Sequence, residues 1–592
     1  MDREKIEEVY KWDLSKIYGN IEEFNNDIEV VKKKLKLLSS YEGIKYDSNN
    51  LYELLSMEMH TQRVLEKLEV YASLLCDEDT SINKNMELKE RVSNLVSEYV
   101  RVTYFVTPSI LKLSYSEIEK FYQENEKLLL YERYLKEMYR YKDHTLSSVE
   151  EKLLASMDKA FNNNYDTYEL LKDSDMSFPS FVVDGKEYLL DNNKYGIYME
   201  SNDRKVRKGA FVTLYKVYKQ YKNVYASLIS SNIKENEVFA KIKKYNSSIE
   251  ASLYSDELDV SIYDNLIKTI NERMGAIHSY YSLKKDVLKI DELHLFDVYA
   301  NLVDIEGKDY PFDEAKETVI KALSLLGDEY IEILKKGLLD RWVDVYPNRG
   351  KRTGGYSSGS YDTNPYILLN YQDKYDDMST LAHELGHSMH SYYTRTNNPY
   401  QYGHYAIFVA EVASTVNELL LAKYVISNSS DKNEKLFILN RMMELFRATI
   451  YRQTMFAEFE QWMYRMIEND EPLTADILSD KYEELNKVYF GKDVVIDEEI
   501  RYEWERIPHF YYNFYVYKYA TGLSIATYIV SGLLDGTISR DDYISFLKCG
   551  DSKSPLDSLK LTGVDLSDSA VINSAIDMFE DTMEEFKDLY FN

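Results

Sequence analysis

Apolar residues recur every three or four positions over most of this chain, and the recurrence predicts helices. From about residue 20 to 175, segments such as NLYELLSMEMHTQRVLEKLEVYASLL and SEIEKFYQENEKLLLYERYLKEMYRY carry that spacing between short polar breaks. FPSFVVDGKEYLL interrupts it. There Asp184-Gly185 stands between two β-favouring runs, which predicts a two-residue hairpin near a lobe boundary at about 180 to 205. Helical spacing resumes from Arg204 to about Leu339, then gives way to RWVDVYPNRGKRTGGYSSGSYDTNPYILLNYQD. Gly350, Gly354, Gly355 and Gly359, with the hydroxyls of Ser357, Ser358 and Ser360, suit a mobile loop, and Tyr366 to Tyr371 reads as a short strand. From Asp376 onward helices dominate again, with no internal repeat. The expected fold is mainly α, with a helical N-terminal lobe over residues 1–200 ending in the hairpin and a second region over 201–592.

Composition narrows the class. A length of 592 residues exceeds what one core usually organises, and only 9 Pro and 21 Gly leave long helices unbroken. The formal net charge of -29 repels phosphate backbones and anionic head groups, which argues against nucleic-acid and membrane partners. Two distant cysteines, Cys76 and Cys549, suggest neither a disulfide framework nor a cysteine metal site, and fit reduced thiols in the cytoplasm. The N-terminus MDREKIEEVYKWDLSKIYGN lacks the apolar core of a secretory signal. The apolar run from Thr521 to Leu534 falls short of the ~20 residues a bilayer span needs, so it reads as a buried helix. No motif sets an oligomeric state.

The chemistry concentrates in DDMSTLAHELGHSMHSYY. Here His383, Glu384 and His387 form His-Glu-x-x-His, and a helix would set the two imidazoles one turn apart on one face, where a single zinc ion can bridge them. Chance gives this pattern at most about twice in a hundred chains of this composition. Asp376 or Asp377 can cap the helix, and Met378, Leu381, Ala382, Leu385 and Met389 form a stripe that would anchor its other face. A catalytic zinc keeps three protein ligands and an open position. A metzincin-type third ligand would need Gly at 390 and His at 393, where this chain has His390 and Tyr393. The first acidic residue after His387 is Glu411, in IFVAEVASTVNELLLAKY, and a second helix antiparallel to the first would bring it to the metal. A helix-to-helix ion pair is the plainer role for it. Glu418, two turns further on, suits either an acceptor that orients a ligand imidazole or a solvated carboxylate. His390 reads as a helix-surface residue, and His404 as a loop residue or a substrate contact.

Around these residues the chain resembles oligoendopeptidase F, within the thimet-oligopeptidase-like family of zinc peptidases. The resemblance rests on LAHELGHSMHSYY, AEVASTVNE, VYPNRGKRTGGY, RIPHFYYNFYVYKYATG and the opening WDLSKIYGN. It implies a helical ellipsoid cut by a deep channel, zincin-like catalytic helices, a small β-sheet in one wall, and a catalytic region over residues 201–592. PYILLNY would be the wall strand that pairs with an extended substrate. The implied activity is a zinc-dependent endopeptidase acting on internal bonds of short peptides, with one Zn2+ per chain on His383, His387 and Glu411. Glu384, one residue past the first ligand, is placed to take the proton of the zinc-bound water. The family's downstream histidine matches His509. Tyr512, Tyr515 and Tyr517 fill the tyrosine-rich segment behind it as candidate donors to the developing oxyanion. A metallocarboxypeptidase with Arg349, Lys351 and Arg352 as a carboxylate site is the nearest alternative enzyme, and a peptide-binding protein without hydrolysis is the alternative outside enzymes.

Overall fold

The computed structural model describes residues 2–147, 149–151, 153, 154, 157, 163–303 and 308–592. Helices dominate, as the periodicity predicts, and the longest are α1 (Ser48–Glu78), α2 (Arg204–Ile242), α3 (Tyr375–Asn397), α4 (Ile407–Asn428) and α5 (Ala570–Phe591). Their starts follow local chemistry. The Asp47 carboxylate accepts the backbone N–H groups of Asn49 and Asn50, while the Asn50 side chain accepts the Asp47 N–H, a reciprocal cap for α1. Asp203 caps α2 by accepting from Lys205 N–H. No described helix is long and apolar enough to cross a membrane, and the Thr521–Leu534 run lies in a helix of 19 residues spanning Tyr517–Asp535.

Strands are few and short. The hairpin appears as β1 (Phe181–Val183) and β2 (Lys186–Tyr188), with both Asp184 and Gly185 at positive φ as a two-residue turn requires. β3 (Leu293–His294) pairs in parallel with β7 (Val494–Val495). Between them in sequence, β4 (Val343–Asp344), β5 (Tyr356–Ser358) and β6 (Tyr366–Leu368) form a three-stranded sheet in the order β4-β6-β5. β6 runs parallel to β4 and antiparallel to β5.

The chain folds as two compact units, each built from three separate stretches of sequence. The first comprises Met1–Asp143, Lys308–Tyr424 and Ile529–Gly563. Its core joins Leu51, Leu54, Leu55, Leu65 and Leu68 of α1 to Trp12, Phe24, Leu88 and Leu135, and reaches the sheet through Tyr366 and Leu368. The second comprises His144–Gly307, Val425–Tyr528 and Val564–Asn592, and contains the β1–β2 hairpin. Its core is rich in tyrosine. Tyr215, Tyr218 and Tyr225 on α2 are buried in a chain of ring contacts that continues through Tyr168 to Tyr511.

The glycine-rich stretch before β6 departs from the mobile loop its composition suggests. Gly350 O accepts the backbone N–H and the hydroxyl of Thr80, Arg352 N–H donates to Asp77 O, and the Asn370 amide donates to the carbonyls of Arg352 and Gly354. Lys351 is buried in an ion pair with Asp344 at 2.6 Å. Glycine serves shape here: Gly350 adopts φ +79°, and a Cβ on it would lie 2.0 Å from Asp79 Oδ1.

Candidate functional site

The first unit assembles the His-Glu-x-x-His residues. Asp377, at the third position of α3, accepts the N–H groups of Gln372 and Lys374 and so fixes the start of the helix. Met378, Leu381, Ala382, Leu385 and Met389 are all buried, as the stripe predicts. With that face committed to the core, His383 and His387 share another, and their Nε2 atoms lie 3.1 Å apart.

α4 lies close against this helix. The Asn417 amide donates to Ala382 O at 3.1 Å, and a Cβ on Gly386 would sit 2.5 Å from Ala413 O and from Ser414 Cα. Ala382 therefore faces residue 417 while Gly386 faces 413 and 414, so the helices run antiparallel. Tyr330 donates to the Asn417 oxygen and holds its amide in place. Glu411 then reaches both imidazoles, with Oε2 at 3.4 Å from His383 Nε2 and 3.4 Å from His387 Nε2. A tetrahedral ion with ligand bonds of about 2.0–2.1 Å requires ligand atoms about 3.3 Å apart. The His383, His387 and Glu411 cluster meets that requirement on all three edges and can hold a metal ion.

Glu418 takes the more specific of its two sequence-derived roles. Its carboxylate hydrogen-bonds His383 Nδ1, which leaves Nε2 free for a ligand and fixes the ring's orientation. Ser414 Oγ donates to Glu411 Oε2 at 3.2 Å. Burial opposes charge on His383, but hydrogen bonds to Glu411 and Glu418 prevail and raise its pKa to about 10. The same two histidines hold the Glu411 carboxyl far below its ordinary range. Glu384 is 6 % exposed, and burial raises its pKa above the usual carboxylate value. His390, expected on the helix surface, is instead buried apart from this group, with its ring stacked on Tyr405 at 3.8 Å. His404 is 3.4 Å from Glu66.

The sheet beside α3 corrects the reading of PYILLNY. β6 is the central strand. Ile367 N–H donates to Trp342 O and Leu369 N–H to Asp344 O, so these amides serve β4, and those of Tyr366 and Leu368 face β5. Neither edge of β6 is left to receive a substrate. On β5, Tyr356 and Ser358 oppose Leu368 and Tyr366, so Ser357 directs its N–H and C=O away from β6. Among the described residues no strand pairs that edge, and the Ser357 amide lies near enough to Glu384 to oppose in part the effect of burial on its carboxyl. The signal was the polarity of Tyr-Ser-Ser, since short polar strands lie at edges and apolar ones at the centre.

His509, Tyr512, Tyr515 and Tyr517 belong to the second unit. His509 Nε2 lies 3.4 Å from the Tyr519 hydroxyl, and burial lowers the His509 pKa. Tyr512 stands edge-on to His509, and its hydroxyl bonds that of Tyr165 at 2.7 Å, which in turn donates to Glu169. Tyr515 packs against Tyr512 and Tyr519. Tyr517 turns the other way, buried against Tyr263 with ring centroids 5.1 Å apart. The segment also carries two successive non-glycine residues at positive φ, Asn513 (50°) and Phe514 (57°). Ser252 Oγ donates to Asn513 O, and the buried Glu460 accepts Phe514 N–H at 2.7 Å. Tyr165, Glu169, Glu460 and Tyr519 were not singled out in the sequence.

A mainly helical fold that sets a His-Glu-x-x-His helix against a glutamate-bearing helix defines the class of helical metallopeptidases. The model of Peptidase family M3 matches residues 197–578, and that of Oligopeptidase F matches residues 109–178. Oligopeptidase PepF of Bacillus subtilis is 43% identical over 99% of this chain and 88% of its own. A crystal structure from Chlamydophila abortus superposes with a TM-score of 0.92 at 35% identity, covering 99% of each chain. That of oligoendopeptidase-F from Enterococcus faecium gives 0.74 at 33% identity, covering 96% of this chain and 99% of its own. The chain belongs to peptidase family M3, in its oligoendopeptidase F group.

Proposed function

We propose that this peptidase is a zinc-dependent endopeptidase of short peptides, in which His383, His387 and Glu411 hold the ion and Glu384 is the general base. The observation that carries the reading is the triangle of ligand atoms at 3.1, 3.4 and 3.4 Å, oriented by Glu418 on His383. A zinc ion bound there supplies Lewis acidity, which acidifies water and polarises a carbonyl. Glu384 takes the proton of the attacking water as oxygen bonds to the scissile carbon, and delivers it to the departing amine nitrogen. Burial raises its pKa and so makes it a stronger base than an exposed carboxylate. The open edge of β5 beside it holds the peptide extended, with Ser357 donating to and accepting from the substrate backbone.

His509, kept neutral by burial, is assigned to the substrate carbonyl oxygen as a hydrogen-bond donor together with a tyrosine. Tyr512 and Tyr515 stand beside it, which favours them over Tyr517, and Tyr519 joins the candidates through its hydrogen bond. The carboxypeptidase alternative loses two of its three cations, because Lys351 is paired with Asp344 and Arg352 with Asp77. Cytoplasmic residence is supported by the free thiols Cys76 and Cys549.

An internally quenched peptide blocked at both ends tests the reading. Cleavage of its internal bonds, lost with a chelator and restored by zinc, is expected, with one zinc per chain. Glu384→Gln should retain the metal and lose at least ~10²-fold in kcat. Cleavage of only the free-ended peptide would favour the carboxypeptidase, and undiminished hydrolysis by Glu384→Gln would refute the assigned base.

A further inference from the structure

α1 ends with two acidic residues, Asp77 and Glu78. A helix C-terminus carries partial negative charge, so carboxylates there are disfavoured unless cations or donors compensate. Both are compensated. Glu78 accepts from Trp12 Nε1 and pairs with Arg3 at 3.0 Å. Asp77, 4 % exposed, accepts from the Tyr356 hydroxyl at 2.8 Å and from Arg352 Nη1 at 3.2 Å, while its carbonyl accepts Arg352 N–H. Every one of the Asp77 contacts goes to β5 or to the residues leading into it.

Side chains alternate across a strand, so Tyr356 and Ser357 leave β5 on opposite faces. On one face Ser357 Oγ hydrogen-bonds Ser388 Oγ of α3 at 2.8 Å. On the other, the Tyr356 ring packs against the first unit's core and its hydroxyl meets Asp77. A Cβ on Gly355 would lie 3.0 Å from Thr380 Cγ2, so the strand already sits close to the metal helix. The short strand with the open edge is thus clamped between α3 and the end of α1. The clamp from α1 is a buried carboxylate at an unfavourable helix position.

We propose that Asp77 is a positioning residue for substrate binding: through Tyr356 and Arg352 it sets the height and tilt of β5, and so the aim of the Ser357 N–H and C=O at an extended peptide. The proposal rests on β5 being the strand that pairs with substrate. Asp77 touches neither substrate nor metal. Its loss should therefore weaken backbone recognition and leave metal binding and the chemical step intact.

The test uses the full-length, metal-loaded protein, a quenched peptide blocked at both ends, and analogues each N-methylated at one backbone nitrogen. In the parent, methylation at one position away from the scissile bond should raise KM about tenfold, the worth of one hydrogen bond. Asp77→Asn and Tyr356→Phe should each raise KM for the unmethylated peptide several-fold, with kcat changed less than about twofold and one metal per chain. In both, the methylation penalty should shrink to about threefold or less, and the double variant should be no worse than the weaker single. Should Asp77→Asn fail to fold, Tyr356→Phe keeps the ring in the core and carries the test. A full tenfold penalty persisting in Tyr356→Phe would overturn the proposal while leaving the strand reading intact. A parent that cleaves the peptide with no methylation penalty at any position would overturn the strand reading and Asp77's role with it. A parent that does not cleave at all would sink the proposed activity itself.

Discussion

Gly386→Ala is the most economical probe of how the proposed metal ligands are brought together. In an ordinary helix this change stabilises by about 1 kcal/mol, since alanine is the better helix former. Here the new Cβ would lie 2.5 Å from Ala413 O and Ser414 Cα, and 2.7 Å from Ser414 N. These are backbone atoms that cannot swing aside. Restoring ordinary contact near 3.5 Å parts the two helices by about 1 Å. Glu411 rides on α4, so its 3.4 Å separations from the histidines would open beyond about 4 Å, against a tolerance of about 0.2 Å in metal–ligand bonds. Overpacking should cost about 1–3 kcal/mol of stability, and zinc affinity should fall at least about tenfold. Thermal unfolding with and without zinc, and competition against chelators of graded strength, measure the two effects. Gly196→Ala is the control, because a Cβ there meets nothing within 4 Å. Parent-like zinc affinity in Gly386→Ala would refute the claim that this contact sets the ligand triangle.

Two further outcomes follow from the charged groups. His383, with its pKa raised to about 10 in the metal-free protein, is protonated at pH 7.5, so zinc binding should release about one proton from it and strengthen about tenfold per pH unit below 10. Calorimetric titrations in two buffers of different protonation enthalpy read the release, and none detected would contradict the assigned contacts. The raised pKa also stabilises the metal-free fold in full below about 6.5, and that contribution is lost as pH rises through 10. Glu460 acts in the same direction from a different cause: burial lifts it to about 8, so between 4.5 and 8 the native state holds a proton that the unfolded chain has given up. Stability should then decline with rising pH, at up to about 1.4 kcal/mol per unit from this group. Glu460→Gln keeps an acceptor for Phe514 N–H without the charge, so its denaturation midpoint should fall less between pH 5 and 9 than the parent's. An equal fall in both proteins would argue against the buried proton.

What the sequence made legible was whatever follows from helical period. The buried stripe of α3 and the placement of both histidines on one face depend on residues three or four apart, and these spacings fix geometry within a helix. Contacts between elements were harder to read. Gly386 looks like a breaker in a helix until the backbone of α4 is found against it. The glycine-rich loop reads as mobile because composition reports permitted conformations and not tethers, here supplied by Thr80, Asp77 and Asn370. PYILLNY is the substrate strand that the resemblance implies, yet its apolar residues place it in the middle of the sheet. A strand that must offer its edge has to tolerate water there. Tyr-Ser-Ser meets that condition.

The tyrosine segment carries the same lesson one step further. Tyr515, Tyr517 and Tyr519 alternate in sequence and look equivalent, but the chain is turning into a helix that begins at Tyr517. Within that helix, at about 100° per residue, Tyr517 and Tyr519 point about 160° apart. The structure follows this division: the rings of Tyr515 and Tyr519 lie 5.4 Å apart beside His509, while Tyr517 enters the core at Tyr263. The left-handed pair Asn513 and Phe514 just before it sets the phase of that turn. Such backbone is costly at non-glycine residues, at about 1–3 kcal/mol each, and persists only where the surroundings hold it. Ser252 and the buried Glu460 do so, one at each residue. Relaxing the pair would rotate the tyrosines as a set. The strain therefore selects which hydroxyls stand beside His509, a choice that the alternating sequence leaves open.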